Sequence, residues 1–254
     1  MSDLKIISIN KDNLDQYQPR CFLNPKHEGN LKKYEWLKER FNEGLRVKQI
    51  YTEDDKCIGF IEYLPGEFAW RPVNAKNYIF IHCLWISPNK FKGKGYASKL
   101  IKECIQEAEK ENKNGVAVVT SEGSFMAGKS IFQKNGFEEI DQSKPSFTLL
   151  VKKLKEGNLP KFHNTEEKLK DYQGLNIVYS RQCPWVIRSI PEILQIAKEK
   201  GLDSKITELK TPQEAQQAPS TYGTFSLIYN GKLLADHYIS TTRFKNILKK
   251  EFNL

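Results

Sequence analysis

Lys90, Lys92 and Lys94 share one short turn with Gly93 and Gly95. Cations at that density, on backbone that glycine lets a ligand approach closely, suit a compact anion such as a diphosphate. The spacing is not Gly-x-x-x-x-Gly-Lys-Ser/Thr, because no Ser or Thr directly follows Lys94, and it is not Gly-x-Gly-x-x-Gly, because Ser98 stands where the third glycine would be. Upstream, His82 and Cys83 lie in the apolar run Tyr78–Ile86, while Glu62 and Glu67 flank Pro65-Gly66. An imidazole or carboxylate there can act as a general base, or serve only as a satisfied core histidine and solvated acids. Strand alternation would turn Cys83 away from His82, as a buried structural thiol. The loop Glu67-Phe-Ala-Trp70-Arg71-Pro72 gathers aromatic rings and a guanidinium that can line a pocket or simply pack. Glu122 and Ser124 are further candidates for contact with a substrate, Ser124 equally for a helix cap.

These groups need elements to hold them. Short segments rich in β-branched and aromatic residues, at Leu4–Ile9, Leu45–Tyr51, Cys57–Tyr63, Tyr78–Ile86, Val116–Thr120, Phe137–Ile140 and Phe147–Lys152, read as strands. Between them, apolar residues recur at helical spacing from Leu31 to Phe41 and again at Leu100, Ile101, Cys104, Ile105 and Ala108. The basic turn therefore joins a strand ending at Ser87-Pro88 to the amino end of a helix beginning near Gly95, where backbone amides lack internal partners and the macrodipole is positive.

A polar stretch with Gly157 and Pro160 reads as a linker over 153–170, with a helix start near Thr165. Beyond it the order is strand (Leu175–Tyr179), helix (Pro184–Lys200), strand (Ile206–Leu209), hairpin about Asn230-Gly231, and helix (Thr241–Phe252). Cys183 precedes the first of these helices, and the helix dipole should bias it toward thiolate. Val186 occupies the place of a resolving cysteine, so exchange within a Cys-x-x-Cys motif is excluded. A monothiol role and a purely binding role both stand.

Composition narrows the partners. With 39% hydrophobic and 28% charged residues the chain is an ordinary globular mixture, not a disordered or disulfide-stapled one. Its net charge of +9 is spread over residues 1–152, 153–170 and 171–254 as +4, +2 and +3. No basic stripe suggests nucleic acid. No apolar stretch approaches the roughly 20 residues of a membrane span. Residues 1–5 open no signal-peptide core, so a cytoplasmic protein with five reduced cysteines is expected. No metal site is read.

The turn Lys92-Gly93-Lys94-Gly95-Tyr96-Ala97 resembles the acetyl-CoA signature Gln/Arg-x-x-Gly-x-Gly/Ala of the GNAT N-acetyltransferases. Ile86-Ser87-Pro88 before it, Leu100-Ile101 after it, and Ile131-Phe132-Gln133-Lys134-Asn135-Gly136-Phe137 further on fit the same family. The resemblance implies an α/β (α+β) GNAT acyltransferase fold with a mixed sheet over 1–152 and acetyl-CoA as cosubstrate. It implies that Leu84, Trp85 and Ile86 offer backbone groups to the pantetheine arm, and that the amides of Lys92 to Ala97 bind the pyrophosphate. Glu62, Glu67 and His82 become the candidate catalytic residues, and Trp70 and Arg71 the candidate acceptor contacts. Two departures stand out: Lys92 replaces the usual Gln or Arg, and Phe132 replaces the tyrosine that in many members returns a proton to the CoA thiolate.

Residues 171–254 are similar to a small thioredoxin-like βαββα domain, Pro219 standing where that fold often carries a cis-proline. The pairing of the two regions resembles the YoaP-like acetyltransferases. The expected activity is direct acetyl transfer from acetyl-CoA to a small-molecule or peptide amine in a ternary complex. A CoA-binding module without turnover, and a monothiol protein centred on Cys183, are the alternatives. Homo-oligomerisation is left open.

Overall fold

The computed structural model describes residues 4–17, 21, 26–123 and 126–253; Ser124 falls outside them. Tertiary contacts divide the chain into two compact units. The first is Met1–Pro19, Lys38–Ala69 and Val73–Phe162, and the second is Arg20–Leu37, Trp70–Pro72 and His163–Leu254. Beyond the 171–254 range read as a domain, the second unit thus takes in residues 20–37, 70–72 and 163–170.

The elements in chain order are β1 (Lys5–Ile9), α1 (Glu28–Arg40), β2 (Arg46–Tyr51), β3 (Cys57–Pro65), β4 (Val73–Asn74), β5 (Tyr78–Ile86), α2 (Tyr96–Lys110), β6 (Gly115–Ser121), α3 (Lys129–Gln133), β7 (Glu138–Ser143), β8 (Phe147–Lys153) and β9 (Lys161–Phe162). Then follow α4 (Thr165–Leu169), β10 (Leu175–Tyr179), α5 (Pro184–Glu199), β11 (Ser204–Glu208), α6 (Pro212–Gln216), β12 (Phe225–Tyr229), β13 (Lys232–Ala235) and α7 (Thr241–Phe252). The first unit is built on a seven-stranded mixed sheet of order β1-β2-β3-β5-β6-β8-β7, in which β5 and β6 run parallel and the other neighbours antiparallel. The α2 face at Leu100, Ile101, Cys104 and Ala108 is fully buried against Ile61, Tyr63, Ile79, Ile81 and Val118. That burial fixes α2, and with it the turn at its amino end.

Charge pins the other end of α2. Arg46 on β2 reaches Glu107 at 3.2 Å and Glu111 at 2.6 Å, and Lys48 reaches Glu103 at 2.6 Å and Glu107 at 2.8 Å. Burial works to raise the Glu107 carboxyl, but hydrogen bonds from Lys48 and Tyr63 and the charges of Lys48 and Arg46 hold it below its ordinary value. Burial likewise works to lower Lys48, and its bonds to Glu103 and Glu107 carry it the other way, upward. A depressed carboxyl stabilises the fold fully above its unfolded pKa, about 4.3, and ceases to as pH falls through its folded value. Thermal melts should therefore show wild type losing stability more steeply than Glu107→Gln below about pH 4.3. Equal slopes would remove this pairing from the account.

The second unit holds a four-stranded sheet of order β11-β10-β12-β13, with β10 and β11 parallel and β10/β12 and β12/β13 antiparallel. Its strands and its two long helices follow the order read from sequence; α6, closed by a Thr211/Glu214 capping box, was not expected. The cis peptide bonds among the described residues are Ser87-Pro88 and Lys144-Pro145, and the bond preceding Pro219 is not one of them. No helix among the described residues is long and apolar enough to cross a membrane.

Candidate functional site

The basic turn is formed by a single helical turn of 3-10 type, Asn89–Phe91, followed by two glycines in left-handed conformation. Gly93 has φ +75° and Gly95, the N-cap of α2, has φ +82°. Glycine is favoured at both because a side chain strains that region of backbone. A Cβ built on either would meet no heavy atom within 4 Å, so the backbone faces open space.

The first helix-type hydrogen bond of α2 runs from the Lys99 amide to the Gly95 carbonyl at 3.0 Å. No backbone bond uses the amides of Gly93 to Ser98 among the described residues, and no side chain caps Gly95. Lys92 differs from the expected pattern. Its amide is committed to the Asn89 carbonyl at 2.9 Å, because the 3-10 turn closes on it, so the available donors start at Gly93 and extend to Ser98. Lys92 contributes charge instead, its ammonium 5.6 Å from the centre of the Trp85 ring. Lys94 is exposed between the glycines. Unpaired amides, a helix amino end and two exposed lysines have the chemistry to hold an anion.

Beside the turn the sheet parts. β5 and β6 pair only from Tyr78/Gly115 to Ile81/Val118, yet β5 continues to Ile86 and β6 to Ser121. Past Ile81, Leu84, Trp85 and Ile86 remain in register with β3 on one side, opposite Ile61, Phe60 and Gly59. Among the described residues β6 does not pair with β5 past Ile81, and main-chain groups at a parted sheet edge can pair with an extended, amide-bearing ligand.

The register of β3 against β5 shifts between Glu62/Cys83 and Tyr63/Ile81, leaving His82 as the extra residue of a β-bulge. This overturns the alternation expected for Cys83. The α2-facing series runs Ile79, Ile81, then Leu84, Ile86, an interval of three where strict pleating gives two. Cys83 stands outside that series and is half-buried, not a fully buried structural thiol. Glu62, between the α2-facing Ile61 and Tyr63, lies on the opposite face of β3. The His82 ring meets Phe80 edge-on at 5.4 Å, and Phe80 falls between two α2-facing residues. Glu62, Phe80 and His82 thus share one face, and Glu62 and His82 are both buried.

Glu67 is not brought to them. It is exposed and accepts the Asn77 amide at 2.8 Å, which ties the 3-10 turn Gly66–Phe68 to the start of β5. Trp70 and Arg71 belong to the second unit. There Arg71 is 5% exposed and donates through Nη1 to the Trp70 carbonyl at 2.8 Å and to Gln182 Oε1 at 2.6 Å. Glu122 is exposed at the end of β6. Phe132 is fully buried in the α2 core, its ring edge-on to Phe137 at 5.5 Å.

Cys183 is the N-cap of α5. Burial pushes its thiol up, against the amides of Val186 and Trp185 and the charges of Lys33 and Arg71. The thiolate bias expected from the helix dipole is therefore outweighed. Alkylation of Cys183 at neutral pH should be slower than that of an unperturbed thiol of pKa about 8.5, as read by mass spectrometry of iodoacetamide-treated protein. Faster labelling would restore the thiolate.

Sequence reasoning missed Ser98, whose amide joins the unpaired set. The signal was present, because the third residue of any helix start carries an unpaired amide.

The acetyltransferase (GNAT) family matches residues 11–137, and the YoaP-like family matches residues 204–246. An uncharacterized N-acetyltransferase, YoaP, of Bacillus subtilis (strain 168) is 30% identical over 250 residues, covering 95% of this chain and 97% of that protein. Among solved structures, a GNAT acetyltransferase of Staphylococcus aureus Mu50 aligns over 60% of this chain and all of its own (TM-score 0.45, 15% identity). The PaiA N-acetyltransferase of Thermoplasma acidophilum, in complex with coenzyme A, aligns over 59% of this chain and 99% of its own (TM-score 0.42, 17% identity).

Proposed function

This chain belongs to the acetyltransferase (GNAT) family, and from that premise we propose that it transfers an acetyl group from acetyl-CoA to a small-molecule or peptide amine by direct attack in a ternary complex. The observation that carries the reading is the run of unpaired amides from Gly93 to Ser98, on two left-handed glycines that face open space. The donor supplies an activated thioester. The chain's part is to hold the diphosphate on those amides and the charges of Lys92 and Lys94, and to pair the pantetheine arm with the main chain of Leu84, Trp85 and Ile86.

An amine arrives as an ammonium and must lose a proton before it can attack. Glu62 and His82 are the proposed acceptors of that proton, since they share a buried face next to the bulge. Glu67 has the weaker case because its carboxylate already holds the Asn77 amide. Trp70 and Arg71 remain the proposed acceptor-recognition residues. The proposed location is the cytoplasm, as the sequence reading expects.

Thiol release from acetyl-CoA, followed with a thiol-reactive dye across a panel of amines, tests the activity. Amine-dependent release is expected from at least one acceptor. Phe132, apolar where many members carry tyrosine, favours a second reading in which CoA is held without turnover. Tight CoA binding with no release on any amine would establish that reading instead.

A further inference from the structure

A cavity of about 610 Å³ opens in the first unit, where the end of β1, the residues after α1, the start of β2 and the carboxyl end of α2 meet. That volume lies in the range of small-molecule sites. It is not the site of the basic turn. The turn adjoins Tyr96 at the amino end of α2, and Glu107, on the cavity wall, stands about 16 Å further along the helix. The lining carries both signs of charge. Lys11, Arg46 and Lys48 face the cavity together with Asp12, Glu107 and Glu111. Arg46 and Lys48 are tied to the two glutamates by the ion pairs that pin α2. Hydrogen-bonding capacity is left over. The Glu111 side chain is 37% exposed and meets only Arg46 Nη2 among the described residues, and the Asp12 carboxylate forms no ion pair among them. Lys11 donates one hydrogen of its ammonium to Asn42 Oδ1 and keeps the others. Phe41 and Leu45 add apolar surface.

We infer that this cavity binds a neutral polyhydroxyl compound, of the chemical class of sugars and cyclitols. A simple anion placed here meets the carboxylates of Asp12, Glu107 and Glu111, and a simple cation meets Lys11, Arg46 and Lys48. Neither finds a field of one sign. A hydroxyl group uses both, because its hydrogen donates to a carboxylate and its lone pairs accept from an ammonium or guanidinium. Hydrogen bonds to charged partners are the stronger kind. The C–H face of such a molecule has Phe41 and Leu45 to lie against. No group of the basic turn takes part, so the site stands apart from the acetyl-CoA reading.

Saturation-transfer NMR on the full chain tests the site, with D-glucose, myo-inositol and trehalose as probes and acetate, tetramethylammonium and glycine betaine as charged controls. At least one polyol should bind, equally well at about 0.05 and 0.5 M NaCl because no net charge is screened, and the controls should not. Asp12→Ala removes a carboxylate that forms no ion pair among the described residues, so it should fold as wild type. It should bind that polyol about tenfold more weakly, the scale of one hydrogen bond to a charged group, with CoA affinity unchanged. Binding by none of the polyols, a charged control bound as tightly, polyol binding that salt weakens, or wild-type polyol affinity in Asp12→Ala overturns the inference. A loss of CoA affinity in the same variant would merge the two sites and overturn it as well.

Discussion

Gly95→Val is expected to abolish CoA retention while the chain stays folded. Gly95 caps α2 at φ +82°, a conformation that costs a β-branched residue about 1–3 kcal/mol. Relief of that strain re-aims the first turn of α2 and with it the amides of Tyr96, Ala97 and Ser98. Because a Cβ here meets nothing within 4 Å, no core contact is lost, and the penalty is small beside the roughly 5–15 kcal/mol that holds a domain folded. Affinity should fall at least about 100-fold, the equivalent of some 2.7 kcal/mol, with an unchanged far-ultraviolet circular dichroism spectrum. Gly95→Asn separates the causes, because asparagine enters the left-handed region more readily. If Asn keeps CoA where Val loses it, conformation is the cause; if both lose it, the side chain occupies the ligand's space. Wild-type affinity in both would remove the turn as the binding site.

Phe132→Ala should be the most destabilising change in the α2 layer. The ring is 1% exposed and packs with Phe137 and the buried face of α2, and truncating such a side chain costs about 3–5 kcal/mol. Phe132→Leu refills most of the volume, so it should recover most of that stability and turn over amines at the wild-type kcat. Urea unfolding and the thiol-release assay read both quantities. A Phe132→Ala protein as stable as wild type, or a Phe132→Leu protein that is stable but inactive, would show that the ring serves the reaction and not the core.

Local pattern carried much of this into view before any coordinates. The bounds of Tyr78–Ile86 coincide with β5 because apolar, β-branched and aromatic residues fill it and Pro88 follows closely. α2 is legible because its buried residues, Leu100, Ile101, Cys104 and Ala108, repeat at helical spacing. What escaped was tertiary or broke a period. The bulge at His82 leaves no compositional trace, so the alternation argument for Cys83 failed there. Arg71 reads equally as a pocket residue or as packing, and its bond to Gln182, distant in sequence, has no local signal. The helix dipole at Cys183 is a local property, and the burial that outweighs it is not. The commitment of the Lys92 amide depends on a 3-10 turn too short to leave a periodic signal.

The most direct measurement is a crystal structure of the full chain in complex with CoA. The account predicts diphosphate oxygens within hydrogen-bonding distance of amides between Gly93 and Ser98, with the pantetheine arm along Leu84–Ile86. A diphosphate bound anywhere else, with those amides facing only solvent, would contradict it.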